Sequence, residues 1–350
     1  MKPVRFAIIG SGGIAAKHAQ AIAAVPGAEL AAVWGQNPDR ALAFAKEHHV
    51  EFVPEIETLA LRGDIDAATI ATPSGSHEAT ASPFLIHSKA VLCEKPLELT
   101  LEKIDRMLAL SSRHRAPLAA VLQLRLGAGA RALKKAVEEG RFGRLALCSA
   151  YLKWWREQSY YDAVSWRGTR ELDGGGALMN QGIHGVDLLQ WLVGMPSQVF
   201  AFSGLLAHER IEVEDTIAIS LRYPGGALGV IEAATSCRPG LAMRIEVCGD
   251  KGTAILEDDR LVRWSFETEK PEDQDVLNAE SGGIKGGSSD PRSIGFEGHR
   301  ILIQDLVDSI HQNRAPMIPG EEARNAVRLI LAAYESSARG VPVDLSEKGK

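Results

Sequence analysis

The feature that most restricts what this chain can fold into is Gly10-Ser11-Gly12-Gly13-Ile14-Ala15. It follows the apolar run Val4–Ile9 and opens Gly13–Ala24, a stretch of helix-forming composition. In G-x-G-x-x-A between a strand and a helix, Gly10 permits the tight turn and Gly12 lets a pyrophosphate approach the backbone. Ala15 lets the helix pack closely on the strand. The N–H groups at the helix start, around Gly12, Gly13 and Ile14, then face phosphates. The expected ligand is a dinucleotide, NAD or NADP.

The flanking pattern agrees with this. Leu30–Trp34, Ala67–Ala71, Val91–Cys93 and Leu118–Leu122 are short continuous apolar runs, and the segments between them have helical composition. Leu101–Ser112 follows Thr100, a residue suited to an N-cap. Strands buried on both faces read this way, so the alternation predicts a doubly wound parallel sheet. In such a fold an acidic residue about 20 positions past the glycine turn binds the ribose of NAD. That count from Ala15 arrives at Gly35, in Trp34-Gly35-Gln36-Asn37-Pro38, where no carboxylate stands. With Arg40 opening the next helix, the composition favours NADP over NAD.

After about residue 144 the pattern changes. Leu145–Trp154, Val199–Leu206, Thr216–Tyr223, Ala227–Ala234, Arg244–Cys248, Thr253–Glu257 and Leu261–Phe266 have strand character. Tight turns such as Pro224-Gly225-Gly226 join several of them and predict an antiparallel sheet. Helical segments are expected at Ala177–Leu192, Arg300–Gln312 and Glu321–Arg339. The polar stretch Glu267–Gly298 is expected to be a mobile lid or an intersubunit arm. At 350 residues, two domains are expected, 1–125 and 126–350: an α/β Rossmann domain and an α+β domain with a large, mostly antiparallel sheet.

A net charge of −6, with scattered basic residues, gives no electrostatic reason to expect nucleic-acid binding. No apolar stretch approaches the roughly 18 residues of a membrane helix. The N-terminus carries no signal-peptide pattern, so a cytoplasmic protein is expected. Cys93, Cys148, Cys237 and Cys248 form no CxxC pair and are expected to be reduced thiols, with no metal bound.

Two further clusters bear on chemistry. Cys93-Glu94-Lys95-Pro96 closes a buried strand, which places Glu94 and Lys95 at the ligand crevice of an open α/β sheet. Gly174-Gly175-Gly176-Ala177-Leu178-Met179-Asn180-Gln181-Gly182-Ile183-His184 turns into a helix on which Asn180 and His184 share a face. Read alone, Lys95 is also compatible with an exposed strand-end lysine, and His184 with a satisfied core histidine.

Together with Ala71-Thr72-Pro73-Ser74-Gly75-Ser76-His77, Asp187 and the closing Ala332-Ala333-Tyr334-Glu335-Ser336-Ser337, these motifs resemble the glucose–fructose oxidoreductase, inositol dehydrogenase and rhizopine-catabolism family (Gfo/Idh/MocA) over nearly the whole chain. The resemblance implies that Lys95 and His184 are catalytic and meet a substrate hydroxyl beside the nicotinamide. It also implies that Thr72, Pro73 and His77 line the cofactor groove and that Glu94 and Lys95 border it. Many members carry aspartate where this chain has Asn180. An amide orients a hydroxyl but does not hold a histidine's proton charge. Asn180 here resembles members acting on nucleotide-linked sugars and sugar 3-ketones.

Oxidising a secondary alcohol needs a base for its proton and a hydride acceptor at the same carbon. His184 has the side-chain type for proton transfer near neutrality. Lys95 can hydrogen-bond the developing alkoxide or, if burial lowers its pKa, act as base. Lys153–Tyr161 and Trp166-Arg167 concentrate aromatics, on which sugar rings stack, and arginine forks, which suit carboxylate or phosphate. Arg156, Tyr160 and Arg167 are therefore expected to contact substrate.

The expectation is thus an NAD(P)-dependent oxidoreductase of a sugar, nucleotide-linked sugar or cyclitol. A homodimer or homotetramer through the second sheet is expected, since an open antiparallel sheet needs its free face covered. The alternatives are a cofactor-binding sensor without turnover and an NAD-dependent glycoside hydrolase.

Overall fold

The computed structural model describes residues 2–279 and 295–346, which divide into two compact units. The first comprises residues 2–123 and 295–324, the second residues 124–279 and 325–346.

In the first unit, β1 (Val4–Ile9), β2 (Ala28–Trp34), β3 (Glu51–Phe52), β4 (Ala67–Ile70), β5 (Ala90–Cys93) and β6 (Leu118–Ala120) form one sheet. Its order is β3-β2-β1-β4-β5-β6, parallel throughout. Phe6, Ala7, Ile8 and Ile9 are wholly buried. Burial of each large side chain among them contributes about 1.5–3 kcal/mol, which is why the run is continuous rather than alternating. Ile9 lies opposite Ile70, and Ile70 opposite Cys93. The register therefore brings the glycine turn, the Thr72-Pro73 turn and the Glu94-Lys95-Pro96 turn out of the sheet side by side. The strand order reverses between β1 and β4, the switch point where open α/β sheets bind ligands. Thr100 caps the helix Leu101–His114 as expected, its hydroxyl oxygen accepting from the N–H of Lys103 at 3.3 Å.

This unit also takes in residues 295–324, which sequence reading assigned to the second domain. The helix Glu297–Gln312 buries Leu302, Ile303, Leu306 and Val307 and packs on the helix Gly13–Ala23 and on β5. Beyond it, the N–H of Ala120 donates to the carbonyl of Ile318 at 3.0 Å.

In the second unit, β7 (Leu145–Lys153), β8 (Gln198–Gly204), β9 (Thr216–Arg222), β10 (Leu228–Ala234), β11 (Arg244–Gly249), β12 (Gly252–Glu257), β13 (Arg260–Phe266) and β14 (Val343–Asp344) form a sheet ordered β13-β12-β11-β7-β10-β9-β8-β14. Every pairing is antiparallel except β7 with β10. The alternation is clear in β9, where Ile217, Ile219 and Leu221 are buried and Ala218, Ser220 and Arg222 exposed. Helices cover the buried face: Ile183–Val193 on β7 and β11, and Ala128–Glu138 on β12 and β13. On other strands Leu147, Phe202 and Leu228 are exposed instead.

Part of the stretch Glu267–Gly298 has secondary structure of its own. Residues 273–278 form a helix, and the Asp273 carboxylate accepts both arms of the Arg141 guanidinium at 2.7 Å, the Trp264 indole N–H at 2.7 Å and the Lys270 N–H at 2.8 Å. The Arg141 fork holds the Asp273 carboxyl far below the usual range. Glu297 already belongs to a helix. Residues 280–294 of that stretch lie outside the described residues. All four cysteines are free, with Cys93 and Cys148 buried. Among the described residues, no helix is long and apolar enough to cross a membrane.

Candidate active site

The glycine turn is built as its sequence requires. Gly10 has φ +126°, and a Cβ there would lie 2.4 Å from the carbonyl oxygen of Ala71. Only glycine lets β1 and β4 end this close together. Gly12, by contrast, has φ −91° and ψ −175°, and a Cβ on it would meet nothing within 4 Å. Gly12 starts the helix Gly13–Ala23 without any side-chain cap, and no acidic residue stands in the first turn. Uncapped N–H groups beside open space are what a pyrophosphate needs, so the residues fit a dinucleotide. Ala15 is buried where helix meets strand. Gly35 is buried, a Cβ there being 3.0 Å from both Ala41 Cβ and Ser11 Oγ. Gln36 and Arg40 are exposed, and Asn37 caps the next helix through the N–H of Arg40 at 3.0 Å.

At the Thr-Pro turn, the Thr72 hydroxyl lies 3.2 Å from that of Thr80. His77 opens the helix that follows this turn. It is buried, its Nδ1 stands 2.9 Å from the carbonyl oxygen of Pro96, and its Nε2 stands 3.0 Å from that of Thr72. The ring lies between the Thr-Pro turn and the Glu-Lys-Pro turn, and as a neutral imidazole it donates its one N–H to one of these two carbonyls. Burial pushes this imidazole's pKa down.

Glu94 is also turned inward. Its Oε1 accepts from Nε2 of His18 at 3.0 Å and from Nε2 of His299 at 2.8 Å, while Oε2 accepts from the N–H of Lys95 at 3.3 Å. Burial pushes the carboxyl up, but the two histidine hydrogen bonds outweigh it and hold the group well below the usual carboxylate range. Burial likewise pushes His18 down, keeping it neutral. Neither histidine was singled out from sequence. The signal available was a histidine at a buried position of the glycine-turn helix, and another far along the chain. Lys95 is half-buried.

In the second unit the glycine turn leads into a π-helical segment, Ala177–Gly182, and then the α-helix Ile183–Val193. The expected uninterrupted α-helix from Ala177 is thus replaced in its first six residues. The cause lies far along the chain. Glu214 accepts from the N–H of Gly176 and of Leu178, both at 2.9 Å, and from the Tyr334 hydroxyl at 2.9 Å. Tyr334 in turn accepts from the N–H of Met179 at 3.2 Å. Burial pushes Glu214 up despite these bonds. Farther along, Asp187 accepts the Arg125 fork at 2.8 and 2.6 Å, both side chains being buried. This pair fixes the helix three residues beyond His184, and breaking it would cost about 3–5 kcal/mol.

The expected substrate residues form one network in this unit. The Asn180 amide donates to Asp173 at 2.5 Å. Gln181 donates to the Tyr160 hydroxyl at 3.0 Å and to Asn180 Oδ1 at 3.3 Å. Arg156, buried, donates to Gln181 Oε1 at 3.0 Å. The Arg167 guanidinium stacks 4.2 Å from the Tyr160 ring centre and donates to the Tyr160 carbonyl at 2.8 Å. Asp173 and Gln181 were not anticipated; their place within or beside the glycine turn was the available signal. His184 is buried on its helix. Lys95 and His184 belong to different units.

Comparison with known proteins bears on both units. Residues 4–121 match the model of an oxidoreductase family with an NAD-binding Rossmann fold, and residues 130–255 match a GFO/IDH/MocA C-terminal domain. The WlbA dehydrogenase from Bordetella pertussis, solved in complex with NADH and UDP-GlcNAcA, is 32% identical with a TM-score of 0.89, covering 98% of each chain. The 2,7-anhydro-N-acetylneuraminate hydratase of Mediterraneibacter gnavus is 26% identical over 99% of this chain and 98% of its own. Inositol 2-dehydrogenase of Rhizobium meliloti is 29% identical over 76% of this chain and 79% of its own.

Proposed function

Because this chain belongs to the Gfo/Idh/MocA oxidoreductases, NAD(P)-dependent enzymes of CH–OH groups, we propose that it transfers a hydride between the nicotinamide and a secondary hydroxyl of an acidic, nucleotide-linked sugar. The observation that carries the acidic character is Arg167. Its Nε is buried without a hydrogen-bond partner, and no carboxylate pairs with it among the described residues. A stacked guanidinium with unused donors suits a sugar carboxylate. The similar WlbA dehydrogenase, with its UDP-GlcNAcA, supports the same class.

Bound NAD(P) supplies the hydride acceptor; the chain supplies position and proton handling. Gly12, Gly13 and Ile14 would hold the pyrophosphate, Gly35, Gln36 and Arg40 the adenosine ribose, and Thr72 and Pro73 the groove wall. With no carboxylate at Gly35, the ribose end admits the 2′-phosphate of NADP as well as the diol of NAD. His184 takes the hydroxyl proton as base, Lys95 donates to the developing alkoxide, and Asn180 orients the hydroxyl. Arg156, Tyr160 and Arg167 hold the sugar. A second copy covers the sheet face bearing Phe202 and Leu228, in a homo-oligomer of the cytoplasm.

The test compares a nucleotide-linked sugar acid with its neutral counterpart. Losing one charge-assisted hydrogen bond is worth about 1.5–3 kcal/mol, so Arg167→Met should lower kcat/KM for the acid roughly 10- to 100-fold. The neutral sugar should be turned over as before. An equal loss on both would refute the carboxylate assignment.

A further inference from the structure

The Glu94 cluster has a design that hydride transfer does not by itself require. One buried carboxylate oxygen receives two imidazoles from opposite ends of the chain. His18 lies on the helix that opens at the glycine turn, and His299 on the helix Glu297–Gln312. Glu94 follows β5 directly, its N–H donating to the Ile70 carbonyl at 3.0 Å, and precedes Lys95. Three elements of the first unit therefore meet on one oxygen.

The protonation state follows from the partners. An ionised carboxylate only accepts, so both Nε2 atoms donate. Nδ1 of His18 and Nδ1 of His299 are buried and have no hydrogen-bond partner among the described residues. A proton on either Nδ1 would be a buried, unsatisfied donor, so each ring carries the proton that faces Glu94 on Nε2. The rings meet edge to face, 4.8 Å apart. A zinc ion with ligand bonds of about 2.0–2.1 Å would hold its tetrahedral ligand atoms roughly 3.3 Å apart. The observed 3.0 and 2.8 Å on a single oxygen are hydrogen-bond distances.

We propose that His18 and His299 are positioning residues, which clamp Glu94 so that the turn carrying Lys95 is held in fixed register with the phosphate-facing helix. Glu94 acts as the anchor of that clamp rather than as a cofactor ligand. Catalytic groups on a turn are otherwise free to drift, and a misplacement of about 1 Å can cost on the order of 100-fold in rate. The carboxylate joins Lys95's own backbone, through Oε2, to two helices, through Oε1, so its loss loosens Lys95 before it loosens the sheet.

The catalytic arm of the test rests on the proposed hydride transfer; a second arm does not. His299→Leu should lower kcat about 10- to 100-fold while KM for the sugar and Kd for NAD(P)H change less than about threefold. His299→Gln keeps an N–H donor near the same place and should restore most of kcat. Independently of any substrate, nitrogen NMR of histidine-labelled protein should show His18 and His299 as neutral Nε2–H tautomers, with both signals shifting in Glu94→Ala. Three results would overturn the clamp: equal loss in the Leu and Gln variants, histidines in another tautomer, or stoichiometric zinc in the purified protein. If no sugar is turned over while the NMR arm holds, the substrate reading fails and the clamp stands.

Discussion

Gly10 and Gly12 stand two residues apart in one motif yet do different work, and exchanging each for alanine separates the two roles. At Gly10 an alanine meets a φ of +126°, a region costing a non-glycine residue about 1–3 kcal/mol. Its Cβ would also sit 2.4 Å from the Ala71 oxygen and 2.8 Å from the Ala71 carbonyl carbon, which forces apart the backbone ends of β1 and β4. Overpacking of that kind adds about 1–3 kcal/mol, so Gly10→Ala should lose about 2–6 kcal/mol. At Gly12 the backbone is ordinary and the Cβ meets nothing within 4 Å. Gly12→Ala should leave stability unchanged or raise it by up to about 1 kcal/mol through the unfolded chain. The methyl group projects into the space that a pyrophosphate would take, so Kd for NAD(P)H should rise at least about tenfold. Urea unfolding and titration of reduced cofactor by fluorescence measure the two effects. Wild-type cofactor affinity in Gly12→Ala, or a Gly10→Ala protein within about 0.5 kcal/mol of wild type, would refute the reasoning.

Acid should destabilise the protein before its carboxylates titrate. His18 and His77 are depressed by burial, so below the unfolded value of about 6.5 the unfolded chain takes up protons that the fold refuses. Each group then removes about 1.4 kcal/mol per pH unit until its folded pKa is reached; constant urea midpoints between about pH 7.5 and 5.5 would contradict this. Gly35→Asp should weaken NADP(H) binding selectively by placing a carboxylate at the ribose end, and equal weakening of NAD(H) would contradict that assignment. If the proposed homo-oligomer forms through this face, Phe202→Asp together with Leu228→Asp should leave a monomer in light scattering, whereas a mass equal to that of an oligomeric wild type would show that this face is not the interface.

The parts of the fold that were legible are those whose signal is local. β1 reads as a strand because both its faces are buried, and β9 because only one is. The helix Ala128–Glu138 has glycines at and just after its start, Gly127 and Gly129. Those glycines are there because a Cβ on Gly127 would overlap the Asp259 carboxylate and one on Gly129 the Leu256 side chain. The π segment under Asn180 was illegible, since Glu214 and Tyr334, which cap it, lie 36 and 155 residues from the groups they bind. The Arg141–Asp273 fork and the His299–Glu94 contact span 132 and 205 residues, so neither the anchoring of residues 273–278 nor the return of residues 295–324 to the first unit was written in any local pattern. Motif geometry was legible where residue type and place coincide, as at Gly10, whose positive φ and close approach to Ala71 require glycine. At His77 the residue type alone did not show that the ring nitrogens face the carbonyls of Thr72 and Pro96.

The central claim is that Lys95 and His184 serve one hydride transfer on a nucleotide-linked sugar acid. Its most direct test follows nicotinamide absorbance with a panel of such sugars, offered to wild type, Lys95→Met and His184→Ala after each variant has been shown to bind NAD(P)H. The account expects turnover by the wild type on at least one acidic sugar. It expects kcat to fall on the order of 100-fold or more in each variant, with cofactor Kd within about threefold of wild type. Near wild-type turnover by both variants on that substrate would contradict it.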